Sequence, residues 1–214
     1  MILPDFKEES KLWEQGYKYV IGVDEVGRGA FAGPVSAAAV VFECETDGLN
    51  SLGINDSKLL KPNHRKKLSK LIQDGCVSYS VATVAVSKIN KLGIGKATNI
   101  AFRKAISDVL LKLEAREEKI FLLADGFHIK HIRKLGLKNQ KAIIKGDRKS
   151  ISIAAASIIA KVHRDSLMKK LSKKYPQYGF GKHKGYGTKA HQAAIKKHGL
   201  SKIHRTSFNL SQFL

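Results

Sequence analysis

The sequence predicts an α/β fold: a mixed β-sheet flanked by helices, with a C-terminal helical extension. Short runs rich in Val, Ile, Ala and aromatic residues, bounded by glycine or charged residues, indicate strands. Longer stretches with helical periodicity lie between and after these runs. Three strands come first, two of them separated by a helix, and they are followed by a helix, two strands and another helix. This order is typical of helices packed on a sheet.

The predicted elements fill a chain of 214 residues, which suits one large domain. Strands are predicted at residues 18–23, 34–42, 77–86, 119–124 and 141–145. Helices are predicted at residues 62–73, 96–115, 150–174 and 188–197. Pro62 suits the first turn of its helix, and Asn63 is the candidate cap. The small side chains of SISIAAASIIAKVHRD (150–165) favour close packing against the sheet, and Asp165 is expected to pair with a basic residue.

The composition changes near residue 175, where YPQYGFGKHKGYGT is rich in Gly, His, Lys and Tyr. No linker rich in Pro or Ser precedes this change. We therefore expect a core over residues 1–174 and an extension over residues 175–214. The extension is expected to close over one edge of the sheet within the same compact unit.

The chain is strongly basic, with 39 Lys and Arg against 18 Asp and Glu and a net charge of +21. This excess favours a polyanionic partner, because phosphates neutralised by Lys or Arg release condensed counterions. A protein that is merely rich in lysine is the alternative. Charge does not separate a nucleic-acid enzyme from a binding protein of the ribosomal type.

The sequence favours a cytoplasmic location. It has no run of 18 apolar residues, so no transmembrane helix is expected, and its first residues carry acids where a signal peptide needs a basic and then an apolar stretch. Cys44 and Cys76, the only cysteines, are expected to be reduced core residues. Without further cysteines, the histidines do not indicate a zinc site, and surface positions or phosphate contacts are expected for His183, His191, His198 and His204.

Most acidic residues lie in polar stretches and are expected on solvated faces: Glu8, Glu9, Glu14, Glu43, Glu45, Asp47, Asp74, Glu114, Glu117 and Glu118. Others stand where predicted strands end, beside glycine, namely Asp24 with Glu25, Asp125 and Asp147. Ligands collect at strand ends in α/β sheets, and converging carboxylates need a cation. Mg²⁺ is the usual choice, and paired ions can hydrolyse a phosphodiester. Capping of helices or turns is the alternative.

Asp24 and Glu25 pose a geometric difficulty, because consecutive residues of a regular strand point to opposite faces. Either the strand bends or bulges there, which Gly27 and Gly29 would make easy, or one residue binds through its backbone carbonyl. The pattern Gly27-Arg28-Gly29 is not the dinucleotide-binding pattern, since no helix follows it. It forms either a plain turn or a stretch of backbone without side chains at its glycines, which a polynucleotide can approach closely. Backbone groups there could bond to the 2′-hydroxyl that distinguishes RNA from DNA.

Two further sites are candidates for substrate contact. Ser57 and Lys58, in NDSK, suit either a turn or a phosphate contact. Tyr186 lies between glycines in a basic segment and could stack on a base or a sugar. A buried tyrosine is the alternative for Tyr186.

The ordered motifs of the chain resemble those of the ribonuclease HII family: VDEVGRGAFAGPV, NDSK, LLADG, IIKGDRKSISIAAASIIAKVHRD, and HKGYGT followed by HGLSKIHRTSF. The resemblance extends from residue 18 to residue 208, and the first and fourth motifs are the most specific. Ribonuclease HIII is less similar, because its glycine loop differs from Gly-Arg-Gly. Phe31 is a minor departure, since many relatives carry a smaller residue, Cys or Leu there.

The resemblance implies a ribonuclease H-like fold and an endonuclease that cuts the RNA strand of RNA–DNA hybrids. It also implies nicking of duplex DNA 5′ of embedded ribonucleotides, with 3′-hydroxyl and 5′-phosphate ends. The implied cofactor is a pair of Mg²⁺ or Mn²⁺ ions on the catalytic acids Asp24, Glu25, Asp125 and Asp147. Gly27-Arg28-Gly29 would recognise the ribose 2′-hydroxyl, Tyr186 would stack on the neighbouring deoxyribose, and the extension would close over the substrate groove.

The implied cellular roles are ribonucleotide excision repair and removal of RNA primers, and the chain is expected to act as a monomer. A sliding-clamp contact through the tail, TSFNLSQFL, is conceivable, but no clear motif supports it. Two other functions stay open. One is a non-catalytic protein that binds RNA or hybrids, and the other is a structure-specific DNA nuclease with the same acidic core.

Overall fold

A computed structural model describes residues 3–44, 53–55, 57, 59–113, 119–133 and 135–214. Its sheet has the strand order β3-β2-β1-β4-β5, with β1 (Tyr19–Val26), β2 (Val35–Phe42), β3 (Ser78–Val84), β4 (Ile120–Asp125) and β5 (Gln140–Ile143). The strands β1, β2 and β3 pair antiparallel, whereas β4 lies parallel to both β1 and β5. The predicted mixed sheet is therefore confirmed.

Helices cover both faces of this sheet: α1 (Lys7–Glu14), α2 (Pro62–Gly75), α3 (Val86–Leu92), α4 (Ile94–Lys112), α5 (Ile151–Lys174), α6 (Phe180–His183) and α7 (Lys189–His198). The four predicted helices are confirmed as α2, α4, α5 and α7, whereas α1, α3 and α6 were not expected. The third strand was predicted over residues 77–86 but ends at Val84, because α3 begins at Val86. Lys61, not Asn63, is the N-cap of α2, because Pro62 already occupies the first turn.

The core has one layer on each side of the sheet. On one side, α4 packs its buried Ala101, Phe102 and Ile106 on Ile21, Val23 and other residues of the same strand face. On the other side, α5 lies directly across β1. A Cβ added to Gly22 would lie only 2.1 Å from the carbonyl carbon of Ser152. The close packing predicted for the small residues of α5 is therefore confirmed.

The helix α1 is anchored to the start of α5 by Glu9. This side chain is fully buried, and its Oε1 accepts hydrogen bonds from Ser150 Oγ at 2.6 Å, from the Ser152 backbone N–H at 2.9 Å and from Ser152 Oγ at 2.7 Å. Burial raises the pKa of Glu9. The solvated position expected for Glu9 is therefore wrong, because the fold places this acid against the N-terminus of a helix, where negative charge is favourable.

The segment after α5 packs back on the core. Tyr178 and Phe180 form a small buried cluster with Ala32 and Met168. No helix of the described ranges is both long and apolar enough to cross a membrane. Cys44 is exposed and Cys76 is half-buried, so the core position expected for Cys44 is wrong, because β2 ends before it at Phe42.

Candidate active site

The strand β1 continues through Asp24 and Glu25 and does not end before them. Its ladder with β2 runs without interruption from Val20 opposite Phe42 to Val26 opposite Ser36. Of the two alternatives, the bend or bulge is therefore wrong, because β2 pairs with every residue of β1 in this range, and binding of one residue through its backbone carbonyl stays a prediction. Asp24 and Glu25 keep the alternation of a regular strand.

The acids meet because parallel strands end at the same edge of the sheet. Val23 is paired with Ala124, so the next residues along β1 and β4 are Asp24 and Asp125. Asp125 is paired with Ile143 of β5, and a 3₁₀ turn that contains the buried Asp147 follows that strand. The Gly146 N–H donates to Asp125 Oδ1 at 2.7 Å, which ties the turn to the end of β4.

The pKa shifts of Asp24 and Glu25 indicate that these two acids and Asp125 share one poorly solvated region. The pKa of Asp24 is raised well above its usual range, first by burial and then by the nearby charges of Glu25 and Asp125. The pKa of Glu25 is also raised, mainly by burial, with Asp125 adding to the shift and Arg28 opposing it. Like charges in a poorly solvated site are stabilised by a cation.

The chemistry of the donors fits a hard divalent ion. Within the described residues, Glu25 Oε2 is buried and has no hydrogen-bond partner, and Glu25 Oε1 lies 3.6 Å from Arg28 Nη1. In the same part of the chain, no group of three or more His, Cys, Asp and Glu side chains is arranged to hold an ion. Mg²⁺ does not need such a cage, because it usually keeps several waters and takes one or two carboxylates together with substrate phosphates.

Behind Asp24 lies a hydrogen-bonded network that the sequence did not reveal. The Asp24 carboxyl is hydrogen-bonded to Ser157 of α5, whose hydroxyl is 2.9 Å from the hydroxyl of Ser57. Arg65 Nε in turn donates to the Ser57 carbonyl at 2.6 Å. Ser57 is fully buried, so its hydroxyl supports Ser157 and is not presented to a substrate phosphate. Lys58, the other predicted phosphate contact, lies outside the described residues.

Asp165 of α5 forms the expected pair with basic residues. Its carboxylate lies 2.8 Å from Lys161 Nζ and 3.5 Å from Arg65 Nη1.

The loop after β1 places Gly27 and Gly29 in different surroundings. Gly27 has φ +92°, and an added Cβ would lie 2.0 Å from Arg164 Nε. Gly29 has no atom within 4 Å of an added Cβ, and its φ lies outside the left-handed region. Arg28 between them is largely exposed, with its guanidinium 5.5 Å from the centre of the Phe127 ring. Gly27 is therefore required by the fold, whereas the free protein has room at Gly29.

Two fully buried arginines hold the loop between β1 and β2 through its backbone carbonyls. Arg164 donates to the carbonyls of Pro34 at 2.9 Å, Ala32 at 3.3 Å and Lys184 at 3.0 Å. Arg205 donates to the Arg28 carbonyl at 2.8 Å and twice to the Gly33 carbonyl. Burial lowers the pKa of Arg205 to about 9. A basic chain contains many arginines, so nothing in the sequence distinguishes these two as structural.

Tyr186 is half-buried beside Arg164. Its ring centre lies 5.4 Å from the Arg164 guanidinium carbon and 5.8 Å from Lys161 Nζ, so it packs against two cationic side chains. The surface positions expected for His191 and His204 are wrong, because both imidazoles are buried in a cluster with Phe180. His198 is exposed.

Comparison with known proteins identifies the family. The family model described as ribonuclease HII matches residues 21–211. The ribonuclease HII of Caldicellulosiruptor bescii is 48% identical over 203 residues, which cover 95% of this chain and 92% of that protein. Among solved structures, ribonuclease H2 from Pyrococcus horikoshii matches with a TM-score of 0.70 at 27% identity and covers 91% of this chain and 95% of that one.

A further solved structure is the PCNA:RNase HII complex from Archaeoglobus fulgidus, whose matching chain gives a TM-score of 0.71 at 25% identity over 89% of this chain and 96% of that chain. The matched sequence range contains the acids at the ends of β1, β4 and β5 and the glycine loop. The chain therefore belongs to the ribonuclease HII family and is an enzyme of the ribonuclease H class.

Proposed function

We propose that this chain hydrolyses the RNA strand of RNA–DNA hybrids and nicks duplex DNA 5′ of embedded ribonucleotides, leaving 3′-hydroxyl and 5′-phosphate ends. The observation that carries the proposal is the position of Asp24, Glu25 and Asp125 in one poorly solvated region, at the carboxyl ends of parallel strands. Such a group of acids in a chain of net charge +21 suits a metal-dependent reaction on a polyanion.

The residues that would hold a pair of Mg²⁺ or Mn²⁺ ions are Asp24, Glu25, Asp125 and Asp147. When bound, a pair of such ions supplies activation of water and stabilisation of the departing 3′-oxygen. The protein's own contribution is orientation. Ser157 and the Glu25 N–H fix the Asp24 carboxyl, and the Gly146 N–H fixes that of Asp125.

Recognition of the ribose is assigned to the loop Gly27-Arg28-Gly29, with Tyr186 stacking on the adjacent deoxyribose. Support for the loop comes from the open space at Gly29 and from the exposed Arg28 beside Glu25. Support for Tyr186 comes from its half-buried ring, which packs against Lys161 and Arg164 and is thereby held as a fixed aromatic platform for stacking.

In the cell, the same activity would serve ribonucleotide excision repair and removal of RNA primers in the cytoplasm. We expect the chain to act as a monomer, with residues 175–214 closing over the substrate groove. The Archaeoglobus relative was solved with PCNA, so a sliding clamp deserves a direct binding test as a partner of this chain.

The proposal is tested with a duplex that contains one ribonucleotide, an all-DNA duplex of the same sequence and an RNA–DNA hybrid, each with and without Mg²⁺. We expect one Mg²⁺-dependent nick at the ribonucleotide, cleavage of the hybrid and an intact all-DNA duplex. Cleavage of the all-DNA duplex would favour a structure-specific DNA nuclease. Binding that weakens with salt but is never followed by cleavage would favour a non-catalytic hybrid-binding protein.

Gly29→Ala is expected to impair ribose recognition without affecting the fold. The free protein has space for the added methyl group, so the melting temperature should be unchanged, whereas KM for the ribonucleotide-containing duplex should rise by about tenfold or more because the backbone can no longer approach the sugar. Steady-state kinetics and thermal melting measure the two effects.

Gly27→Ala is the matched variant within the same loop. Its methyl group would meet the buried Arg164 in a left-handed conformation, so we expect a loss of about 1–3 kcal/mol in the free energy of unfolding. Wild-type kinetics in Gly29→Ala would contradict the proposed approach of substrate to this loop.

A further inference from the structure

The backbone of Tyr186 is held by an imidazole from α7. His191 Nδ1 lies 2.9 Å from the Tyr186 carbonyl oxygen. On the other side of Tyr186, the Gly185 carbonyl accepts hydrogen bonds from the backbone N–H groups of Phe31 and Ala32. His191 therefore helps to set the position of Tyr186, together with the Thr188 N–H, which donates to the same carbonyl at 2.8 Å.

His191 is in turn hydrogen-bonded to His204, which lies in the tail segment, residues 199–214 after α7. The partners of the two imidazoles determine which ring nitrogen of each carries the proton. The Ser201 N–H donates to His204 Nδ1 at 2.8 Å, so the proton of a neutral His204 is on Nε2. His204 Nε2 lies 3.0 Å from His191 Nε2, which must then accept. The proton of His191 is therefore on Nδ1, where it donates to the Tyr186 carbonyl.

The surroundings keep both imidazoles neutral. The pKa of His191 is lowered to about 4, mainly by burial, with the neighbouring His183 and His204 adding to the shift and hydrogen bonds to the backbone opposing it. The pKa of His204 is also lowered by burial. His183 stacks on His191 with 4.4 Å between the ring centres, and its ring nitrogens are bonded to the Tyr178 carbonyl and the Gly185 N–H.

The same tail segment is hydrogen-bonded to the Gly27–Gly29 loop and to the residues that follow it. The Gly33 N–H donates to the Ile203 carbonyl, and the Arg205 N–H donates to the Phe31 carbonyl, both at 2.8 Å. The guanidinium of Arg205, the residue after His204, reaches the Arg28 carbonyl. Two consecutive tail residues thus contact the two elements assigned to substrate recognition, one through a guanidinium and the other through a pair of imidazoles.

We propose that His191 and His204 are positioning residues, which set Tyr186 relative to the Gly27–Gly29 loop through an ordered hydrogen-bonded chain from Ser201 to the Tyr186 carbonyl. This inference rests on the proposed function, because the contact of Tyr186 with substrate is itself a proposal. It differs from ordinary packing of a buried histidine, since direction of the hydrogen bonds, and not ring volume alone, carries the effect.

Substitutions of His191 separate the effect of its hydrogen bonds from the effect of its ring volume. His191→Phe keeps the ring but removes both hydrogen bonds, so KM for the ribonucleotide-containing duplex should rise about tenfold, the size of effect that loss of one stacking contact produces, while kcat changes less than about threefold. His191→Asn places an amide nitrogen near the position of Nδ1, so it keeps the donor to Tyr186 and loses the bond to His204. A smaller rise in KM is expected.

His204→Asn removes the link from the other end, because its amide oxygen still accepts from Ser201 but no longer reaches His191. It should match His191→Asn, and the two changes together should have no larger effect than either one alone. His198→Asn, on the exposed side of α7, is the matched control and should keep wild-type kinetics. In a Tyr186→Ala background, His191→Phe should add nothing.

The outcomes separate this inference from the proposed function. If Tyr186→Ala raises KM but His191→Phe does not, or if their effects add, the positioning role is wrong and the role of Tyr186 stands. If Tyr186→Ala has wild-type kinetics while cleavage still needs Asp24, the assignment of Tyr186 fails and this inference fails with it, but the catalytic proposal stands.

A measurement on the unmodified protein covers the case in which His191→Phe does not fold. Nitrogen-15 NMR at about pH 7 should show both imidazoles neutral, with the proton of His191 on Nδ1 and that of His204 on Nε2. The opposite tautomer at either residue, or a charged ring, would overturn the proposed chain of hydrogen bonds.

Discussion

Asp24→Asn is expected to abolish metal-dependent cleavage, with kcat lowered by about 10³-fold or more, while the variant still binds an RNA–DNA hybrid. Asparagine keeps the size of the side chain, and its oxygen can still accept the Glu25 N–H, which donates to Asp24 Oδ1 at 2.7 Å. The strand is therefore preserved. The amide has no charge to give a divalent ion, which is why the chemical step fails. Single-turnover cleavage and fluorescence anisotropy measure the two effects.

The same substitution should stabilise the metal-free protein. The pKa of Asp24 is higher in the folded chain than in the unfolded chain, so the folded state binds more protons, and stability is lost as the pH rises from the unfolded pKa through the folded pKa. Asparagine removes this loss. We expect a higher melting temperature than wild type near neutral pH and a smaller difference below about pH 4.

Asp74→Asn is the control, because this exposed acid of α2 takes no part in the proposed site. It should leave cleavage, hybrid binding and stability unchanged. Cleavage at the wild-type rate by Asp24→Asn would remove Asp24 from the catalytic set. A parallel loss of hybrid binding would show that the substitution disturbs the fold or the substrate surface and not the chemical step alone.

Glu9→Ala is expected to give the largest loss of stability, about 2–4 kcal/mol in the free energy of unfolding. The change removes the acceptor of the Ser152 backbone N–H and of the Ser150 and Ser152 hydroxyls, all buried at the start of α5, and only one of these hydroxyls can then donate to the other, which lies 3.0 Å away. Because α5 also carries Ser157, which bonds Asp24, activity should fall with stability. Urea denaturation followed by circular dichroism measures the change.

Glu8→Ala is a closely matched control, since it removes the neighbouring acid of the same helix. Glu8 forms an ion pair with Lys141 that is partly exposed, so its loss should change the free energy of unfolding by less than about 1 kcal/mol. Equal effects of the two substitutions would contradict the anchoring role assigned to Glu9.

The pattern of apolar residues predicted every strand of the sheet and the four longest helices, because burial on a sheet or a helix face imposes a period that a single chain displays. The helices α1, α3 and α6 were missed. Each is eight residues or fewer, and so short a segment shows too few turns for its period to be recognised. The transition from β3 to α3 falls within one apolar run, which periodicity alone does not divide.

The acids, too, were predicted from the sequence in part only. Asp24, Glu25, Asp125 and Asp147 were selected from the sequence because each stands beside a strand end and a glycine, and the parallel pairing of β1 with β4 does bring Asp24 next to Asp125. The way in which Glu25 reaches the site was left open between a bend or bulge and binding through a backbone carbonyl. The bend or bulge is wrong, because β2 keeps β1 regular through Val26, and the charge of Asp125 still raises the pKa of Glu25.

The sequence by itself determined the fold class, the acids at the strand ends, the glycine loop and the family, because these depend on residue type, spacing and order. Only the tertiary structure decided that Glu9, His191 and His204 are buried, that Ser57 supports Ser157, and that two arginines hold the glycine loop. Each of these facts depends on partners far away along the chain. A polar residue in a polar stretch gives no local sign of whether distant segments will cover it and satisfy its hydrogen bonds.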